Sequence, residues 1–291
     1  MRGESYRFKL GTFECIVVND GTFAYPHPAQ IFFANAAKER LEEVLSDHDL
    51  NLAQWEQYIS PYLSLVIHTE QHIVLVDTGA GSLVPTTGKL MTNLKAERIS
   101  PEDVDTVILT HGHPDHIGGN IDEESNPAFP NARYVVWKEE WDFWTSEPDL
   151  SPLKIDEQIK QVILESSRKN LPPIQNQLDL IKQEKDIVPG IRAIAAPGHT
   201  PGHMALAVSS GDEKLLCISD TAIHPINLEQ PGWYAAVDLS PEQVATTKNS
   251  LFGRAAAEKT LVHAFHFPFP GLGYIIQKGD AWEWQPIEQE D

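Results

Sequence analysis

A helix, sheet, sheet, helix sandwich of the α+β class is the architecture this sequence predicts. Strand-like runs alternate with amphipathic helical runs in both halves of the chain, which argues for helices packed over sheets. Strand pairs such as 61–77 and 203–219 are joined by connections of hairpin length, so each sheet is mixed but largely antiparallel, and a doubly wound parallel sheet fits less well. Each half also sends strand ends towards clusters of polar residues. The 291-residue length admits one large domain or two. We read a single domain over 1–291, with two αβ halves of approximately 1–175 and 176–291 that share one site.

Taken in order, Tyr6 to Leu10 and Phe13 to Val18 are β-branched and aromatic runs separated by Gly11-Thr12, a hairpin signature. Gly21 to Phe33 reads as an irregular segment whose aromatics cover the core. Ala37, Leu41, Val44 and Leu45 have helical spacing, with Lys38, Glu39, Glu42 and Glu43 on the other side. Leu63 to His68 and Ile73 to Asp77 form the next strand pair, and Asp77 stands at a strand end where its carboxylate can brace a neighbouring loop. Ser100-Pro101 has the cap and first-turn chemistry of a helix start. Arg133 to Trp137 reads as a strand and Lys138 to Thr145 as a helix, its Trp141, Phe143 and Trp144 read as a packed face, with a substrate mouth as the alternative. Ile155 to Lys169 is a longer helix ended by Leu171-Pro172-Pro173, the best candidate for a linker. Ile191 to Ala196, Met204 to Val208 and Lys214 to Ser219 are strands, Pro241 to Glu258 is a helix capped by Ser240, and Gly273 to Gln277 with Trp282 to Gln285 close the chain as strands.

The formal charge of −20 is spread along the sequence, a surface that repels nucleic acid phosphates and anionic membranes. Solubility is the simplest reading of that acidity. Cys15 and Cys217 both lie in apolar runs, which argues for a reducing compartment without a disulfide framework, although a single bridge is compatible with the sequence. Met1 to Lys9 carries charges and no apolar core of a signal peptide, and no run approaches the length of a membrane span, so a soluble cytoplasmic protein is expected.

The chemistry concentrates in Thr110-His111-Gly112-His113-Pro114-Asp115-His116, directly after the buried strand Val107-Ile108-Leu109. A strand that stops at His-x-His-x-Asp-His aims imidazoles and a carboxylate across the end of a sheet, where they suit zinc or a similar divalent ion. The bland alternative is a histidine-rich polar turn. Further along stand His199 in Gly-His-Thr-Pro-Gly-His, Asp220 at a strand end, and His266 three positions after His263.

This ordered set resembles the metallo-β-lactamase superfamily, from about Leu63 to the end of the chain. The resemblance implies a dinuclear site, with His111, His113 and His199 on one ion, Asp115, His116 and His266 on the other, and Asp220 bridging. It also matches Asp77 to the superfamily's upstream structural aspartate. Two divalent ions, most suitably Zn2+ with Mn2+, Fe2+ or Co2+ as alternatives, less two aspartates and a bridging hydroxide, leave about one excess positive charge to favour an anionic transition state. Asp115 and Asp220 are the catalytic carboxylates in this reading. His203 is read as a supporting or structural histidine, and His224 and His263 stay open between facing the cavity and packing.

Within the superfamily, aspartate rather than cysteine at 220 disfavours the β-lactamases with a cysteine ligand, and the charge disfavours the nuclease branches. The chain is most similar to the methyl parathion hydrolase and N-acyl homoserine lactonase group, in His266-Phe267-Pro268-Phe269-Pro270-Gly271 and in Ile218-Ser219-Asp220-Thr221-Ala222-Ile223-His224. Lactonases of the superfamily carry a tyrosine where this chain has Ile223. The expected function is hydrolysis of an uncharged ester or lactone by a metal-bridging hydroxide. Phosphotriester cleavage is the alternative, and a non-catalytic metal-binding scaffold is the reading of another class. Ile223, Trp233, Phe267 and Phe269 are the candidate apolar pocket wall, the partner is a small molecule, and the aromatic segments 21–33 and around Trp141 are compatible with a homodimer.

Overall fold

A computed structural model describes residues 4–288. Residues 1–3, where the charged N-terminal stretch starts, and 289–291, where the acidic tail ends, lie outside the described residues. The first sheet has seven strands in chain order: β1 (Ser5–Leu10), β2 (Phe13–Pro26), β3 (Gln57–His68), β4 (Ile73–Val76), β5 (Thr106–Ile108), β6 (Arg133–Trp137) and β7 (Leu178–Ile181). Pairing is antiparallel from β1 to β4 and parallel from β4 to β7. The second sheet also has seven strands: β8 (Asp186–Val188), β9 (Ile191–Ala195), β10 (Met204–Ser210), β11 (Glu213–Cys217), β12 (Leu261–His263), β13 (Leu272–Lys278) and β14 (Ala281–Pro286). Among the described residues only its β11–β12 pair is parallel.

Side-chain parity explains the layers. Alternate residues of a strand face opposite sides of its sheet, and both faces of these sheets are covered, so the strands read as continuous apolar runs. On one parity Val17, Leu65, Val76 and Ile108 meet Met204, Leu206 and Leu215 between the sheets. On the other, Ile16, Val66, Leu75 and Val107 pack under the helices α3 (Leu90–Ala96), α5 (Lys138–Thr145) and α6 (Glu157–Asn170), through Leu94, Trp144 and Ile163. The outer face of the second sheet receives α8 (Pro241–Glu258) through Leu251, Phe252 and Ala255. These four layers are the α+β sandwich the sequence predicts. The shorter helices are α1 (Pro28–Phe32), α2 (Lys38–Asp47), α4 (Pro114–Ile117) and α7 (Ile226–Glu229).

Two stretches differ from the sequence reading. The segment from Gly21 is not irregular at first: β2 runs on to Pro26, paired with β3 through a register shift between Asn19 and Gly21. Leu171-Pro172-Pro173 is no linker, because Leu171 and Ile174 are buried and a 3-10 turn over Pro172–Gln177 leads straight into β7. Strand pairing and burial are both tertiary, and neither leaves a local signal in these residues.

The helix α8 also buries Lys248, whose Nζ donates to the Trp233 carbonyl at 2.6 Å. Burial pushes this ammonium down from the usual lysine range to about 8, against the pull of Asp238. Above that pH the folded state holds fewer protons than the unfolded chain, so folding gains stability as the pH rises towards the free lysine value. Relative to Lys248→Met, the wild-type protein is expected to gain about 2 kcal/mol between roughly pH 8 and 10. Urea unfolding at each pH measures it, and a difference that stays flat refutes it.

Candidate metal centre

Sheet geometry delivers the first candidate ligands. After β4, Asp77 takes a left-handed φ of 58°, a conformation aspartate tolerates better than most residues, and turns its carboxylate under the neighbouring loop. Oδ1 accepts the Thr110 amide at 2.8 Å, and Oδ2 accepts the Thr110 hydroxyl and His116 Nδ1, both at 2.8 Å. The loop leaving β5 is thereby fixed. Because the Nδ1 proton of His116 is spoken for, Nε2 turns its lone pair inward.

The second sheet supplies the rest by the same device. His199, after β9, gives its Nδ1 proton to Asp238 Oδ1 at 2.7 Å, so Nε2 turns its lone pair inward. Asp220 sits in a 3-10 turn beyond β11, its amide donating to His203 Nε2 at 3.1 Å. His203 in turn gives Nδ1–H to the Ala196 carbonyl at 2.9 Å, so it positions the Asp220 backbone, and burial keeps it neutral, down to about 3. His266, beyond β12, places Nδ1 3.2 Å from Ser60 Oγ, which donates to the His266 carbonyl.

The inward atoms converge. His111, His113 and His199 form one grouping, His111, His116 and Asp220 a second, and Asp115, His116 and His266 a third, with the ligand atoms of each grouping within 4.8 Å of one another. His113 Nδ1 and His199 Nε2 lie 2.9 Å apart. His111 Nε2, His116 Nε2 and Asp220 Oδ1 are buried without hydrogen-bond partners. Buried polar atoms left unpaired are costly, and a cluster of lone pairs facing one another needs a positive charge between them. Burial and the neighbouring imidazoles hold His111 and His113 well below the usual histidine range. At His116 burial is outweighed by Asp220, Asp77 and Asp115, which hold it well above that range. Nitrogen and carboxylate donors of this kind suit a borderline divalent cation, which takes the place of protons. The residues present fit such an ion.

Glu140, on α5, is a positioning residue that sequence reasoning misses. Its buried carboxylate accepts the Gly112 amide at 2.8 Å, the Trp144 indole at 2.6 Å, the Thr200 hydroxyl at 2.7 Å and the Gly202 amide at 2.9 Å. One side chain therefore ties the His111–His113 loop to the loop that carries His199. Both glycines are required by the close approach: a Cβ on Gly112 would lie 2.3 Å from Trp144 Cδ1, and one on Gly202 2.3 Å from the Glu140 amide nitrogen. Asp238 and Ser60 are missed as well. The one signal for Glu140 is a carboxylate among tryptophans on a packed helix face.

The expected pocket residues divide. Ile223 and Trp233 join Phe32, Phe33 and Leu41 in one buried cluster. At its centre His224, four positions after Asp220, packs against Phe33, Trp55 and Tyr58 with ring centroids 4.7–5.7 Å away, and burial lowers it to about 3. Phe267 is not brought there: it is fully buried in the core under α8, edge-on to Trp284. Phe269 packs against the core between the sheets. His263 is buried on β12, outside the three ligand groupings.

Comparison with known proteins places this geometry. A family profile described as the metallo-beta-lactamase superfamily matches residues 60–254. An N-acyl homoserine lactonase of Bacillus thuringiensis is 25% identical over 227 residues, covering 71% of this chain and 81% of that protein. Among solved structures, AidC, a dizinc quorum-quenching lactonase in complex with a product N-hexanoyl-L-homoserine, superposes with a TM-score of 0.91 at 27% identity over 100% of this chain and 99% of that one. The hydrolase AbOPH of the beta lactamase superfamily gives 0.89 at 25% identity, covering 100% of both chains.

Replacing Glu140 by Gln keeps the shape but turns an amide NH2 towards donors. Zinc affinity is expected to fall about 10- to 100-fold, read by competition with a chromophoric chelator, while the far-ultraviolet circular dichroism stays unchanged. Unaltered affinity refutes the clamp.

Proposed function

Because the chain belongs to the metallo-beta-lactamase superfamily, we propose that its centre holds two divalent cations, zinc foremost, and opens an uncharged lactone or ester. It is a metal-dependent hydrolase of that superfamily, and its lactonase relatives support lactone or ester hydrolysis. One observation carries the two-cation reading: the Asp220 carboxylate stands between the ligand sets. Its oxygens lie 3.8 Å from His111 Nε2 and 3.4 Å from His199 Nε2 on one side, and 3.2 Å from His116 Nε2 and 3.1 Å from His266 Nε2 on the other. In this reading His111, His113 and His199 hold one cation, Asp115, His116 and His266 the other, and Asp220 both. The two halves, 1–175 and 176–291, then act as one domain around a shared site.

When bound, two such cations supply Lewis acidity to the scissile carbonyl and lower the pKa of water towards about 7. The chain's own residues set the stage for that chemistry. Asp77, Asp238 and Ser60 fix the tautomers of His116, His199 and His266, so each presents a lone pair without reorganisation. Burial of the histidines keeps bulk water from competing with the carboxylates. Asp115, the most exposed of the ligand residues with a side chain 13% accessible, marks the side from which substrate enters. The aromatic cluster of Ile223, Trp233, Phe33 and Trp55, reached from Asp220 through Ile223 three positions on, suits an apolar arm and an uncharged scissile group. The product in the AidC structure, an N-acyl homoserine, supports a lactone bearing an acyl amide as the substrate class.

A substrate panel on zinc-loaded protein tests the proposal, contrasting acyl homoserine lactones of several chain lengths, aryl esters and dialkyl aryl phosphates. Lactones or esters are expected to lead. A phosphotriester lead selects the alternative, and no turnover of any class selects the metal-binding scaffold. Elemental analysis is expected to find about two cations per chain, and Asp220→Ala to lose metal together with at least about 10³-fold in kcat. Full activity in that variant removes the bridging role. Chelation is expected to abolish turnover and lower the melting temperature, with both restored by zinc.

A further inference from the structure

Among the described residues seven side chains other than glycine sit on a left-handed backbone, and five of them, His27, Asp49, Arg98, Ser125 and Lys259, are exposed. The other two are buried. Asp77, at φ 58°, directly follows β4 of the first sheet, and Ser219, at φ 43° and 4% exposed, stands two positions past β11 of the second. Glycine takes such a turn without steric cost and aspartate tolerates it better than most residues, but serine has no such advantage. A buried serine held there needs a reason in its side chain.

The hydroxyl supplies that reason, because Ser219 Oγ lies 2.8 Å from Thr110 Oγ1. Thr110 gives its one hydroxyl proton to Asp77 Oδ2 at 2.8 Å, since a carboxylate only accepts, so Ser219 is the donor in the bond to Thr110. The remaining lone pair of Thr110 faces His111 Nδ1 at 3.2 Å. With His111 Nε2 turned inward, Nδ1 carries the proton and donates it to the same hydroxyl. Thr110 Oγ1 is thus a closed node: it accepts from Ser219 and His111 and donates to Asp77, whose Oδ2 also takes the Nδ1 proton of His116. The node spans the two sheets. Asp77, Thr110, His111 and His116 leave the first, whereas Ser219 opens the 3-10 turn that carries Asp220 beyond the second. Inside that turn the Asp220 amide goes to His203 and the Thr221 amide to the Ile218 carbonyl at 3.0 Å, bonds that stay on the side of the second sheet. Asp220 itself sits at φ −90°, ψ 19°, in the sparsely populated bridge region, so the aim of its carboxylate depends on what holds the residues beside it.

We propose that Ser219 is a positioning residue, held on a left-handed backbone so that its hydroxyl locks the Asp220 turn to the Thr110–Asp77 node and aims the Asp220 carboxylate between the two ligand sets, an inference that rests on the two-cation reading above. Ser219 keeps its proton throughout. It acts through Thr110 on the orientation of His111, and through the backbone on Asp220. The strain of one residue is thereby converted into the alignment of donors from both halves of the chain.

The test compares the full chain with Ser219→Gly, Ser219→Ala, Thr110→Val and the double variant Thr110→Val/Ser219→Ala. Both single Ser219 variants are expected to bind zinc about 10-fold more weakly, read by competition with a chromophoric chelator. Metal-free Ser219→Gly is expected to melt about 2–4 °C above metal-free Ser219→Ala, because glycine relieves the left-handed turn. Stability and metal affinity then part company. A serine that served the turn alone gives the opposite pattern, in which glycine keeps the zinc affinity of the wild type. The double variant is expected to bind zinc no more weakly than Thr110→Val, since the Ser219 hydroxyl acts through Thr110. Wild-type zinc affinity in Ser219→Gly overturns the assignment, as does an additive loss in the double variant or an alanine variant that melts as high as the glycine one. Wild-type protein that binds two zinc ions but opens no lactone or ester refutes the hydrolytic reading and leaves this inference to the affinities, whereas wild-type protein that binds no zinc refutes both.

Discussion

Buried carboxylates that accept several hydrogen bonds each hold this centre in place. Asp77, Asp238 and Glu140 are at most 5% exposed, and each binds donors from a loop that carries a ligand. A carboxylate removed from water must be fully hydrogen-bonded to be tolerated, so these loops have one arrangement in which all three are satisfied. The orientation of the histidines follows from that condition. What remains unsatisfied, the inward nitrogens and Asp220 Oδ1, is the demand for cations.

The candidate ligands come from both sheets. His111, His113, Asp115 and His116 follow β5, whereas His199, Asp220 and His266 leave β9, β11 and β12. The apolar layer between the sheets keeps the two rims in register, and Glu140 joins the two loops directly. Cations seated there would bind the halves a third time, by coordination.

The sandwich was legible because its strands are apolar on both parities and its hairpins are short. The seven ligand candidates were legible because four fall within six consecutive positions and each of the others follows a strand end; the structure brings all seven together. Glu140 was hidden because its partners lie 28 and 62 positions away in sequence and meet it only after α5 packs. Phe267 is misread from sequence because an aromatic next to a candidate ligand reads alike whether it faces a cavity or the core; the turn that follows β12 carries it under α8. The extension of β2 past Gly21 was hidden by the register shift, which only pairing with β3 defines. Non-local contacts account for every one of these misses.

The aromatic cluster beside the centre has a consequence for how such a protein diversifies. Phe32, Phe33, Trp55 and Tyr58 belong to the stretch from α1 to the start of β3, which contributes none of the seven ligand candidates, and they meet His224 and Trp233 from the far end of the chain. If the cluster lines the substrate pocket as proposed, much of its wall is encoded apart from the candidate ligands, with Ile223 and Trp233 among the exceptions. Substitutions between α1 and β3 would then alter what is accepted without touching a candidate ligand, so selection for a new substrate would have a place to act that does not first disarm the catalyst.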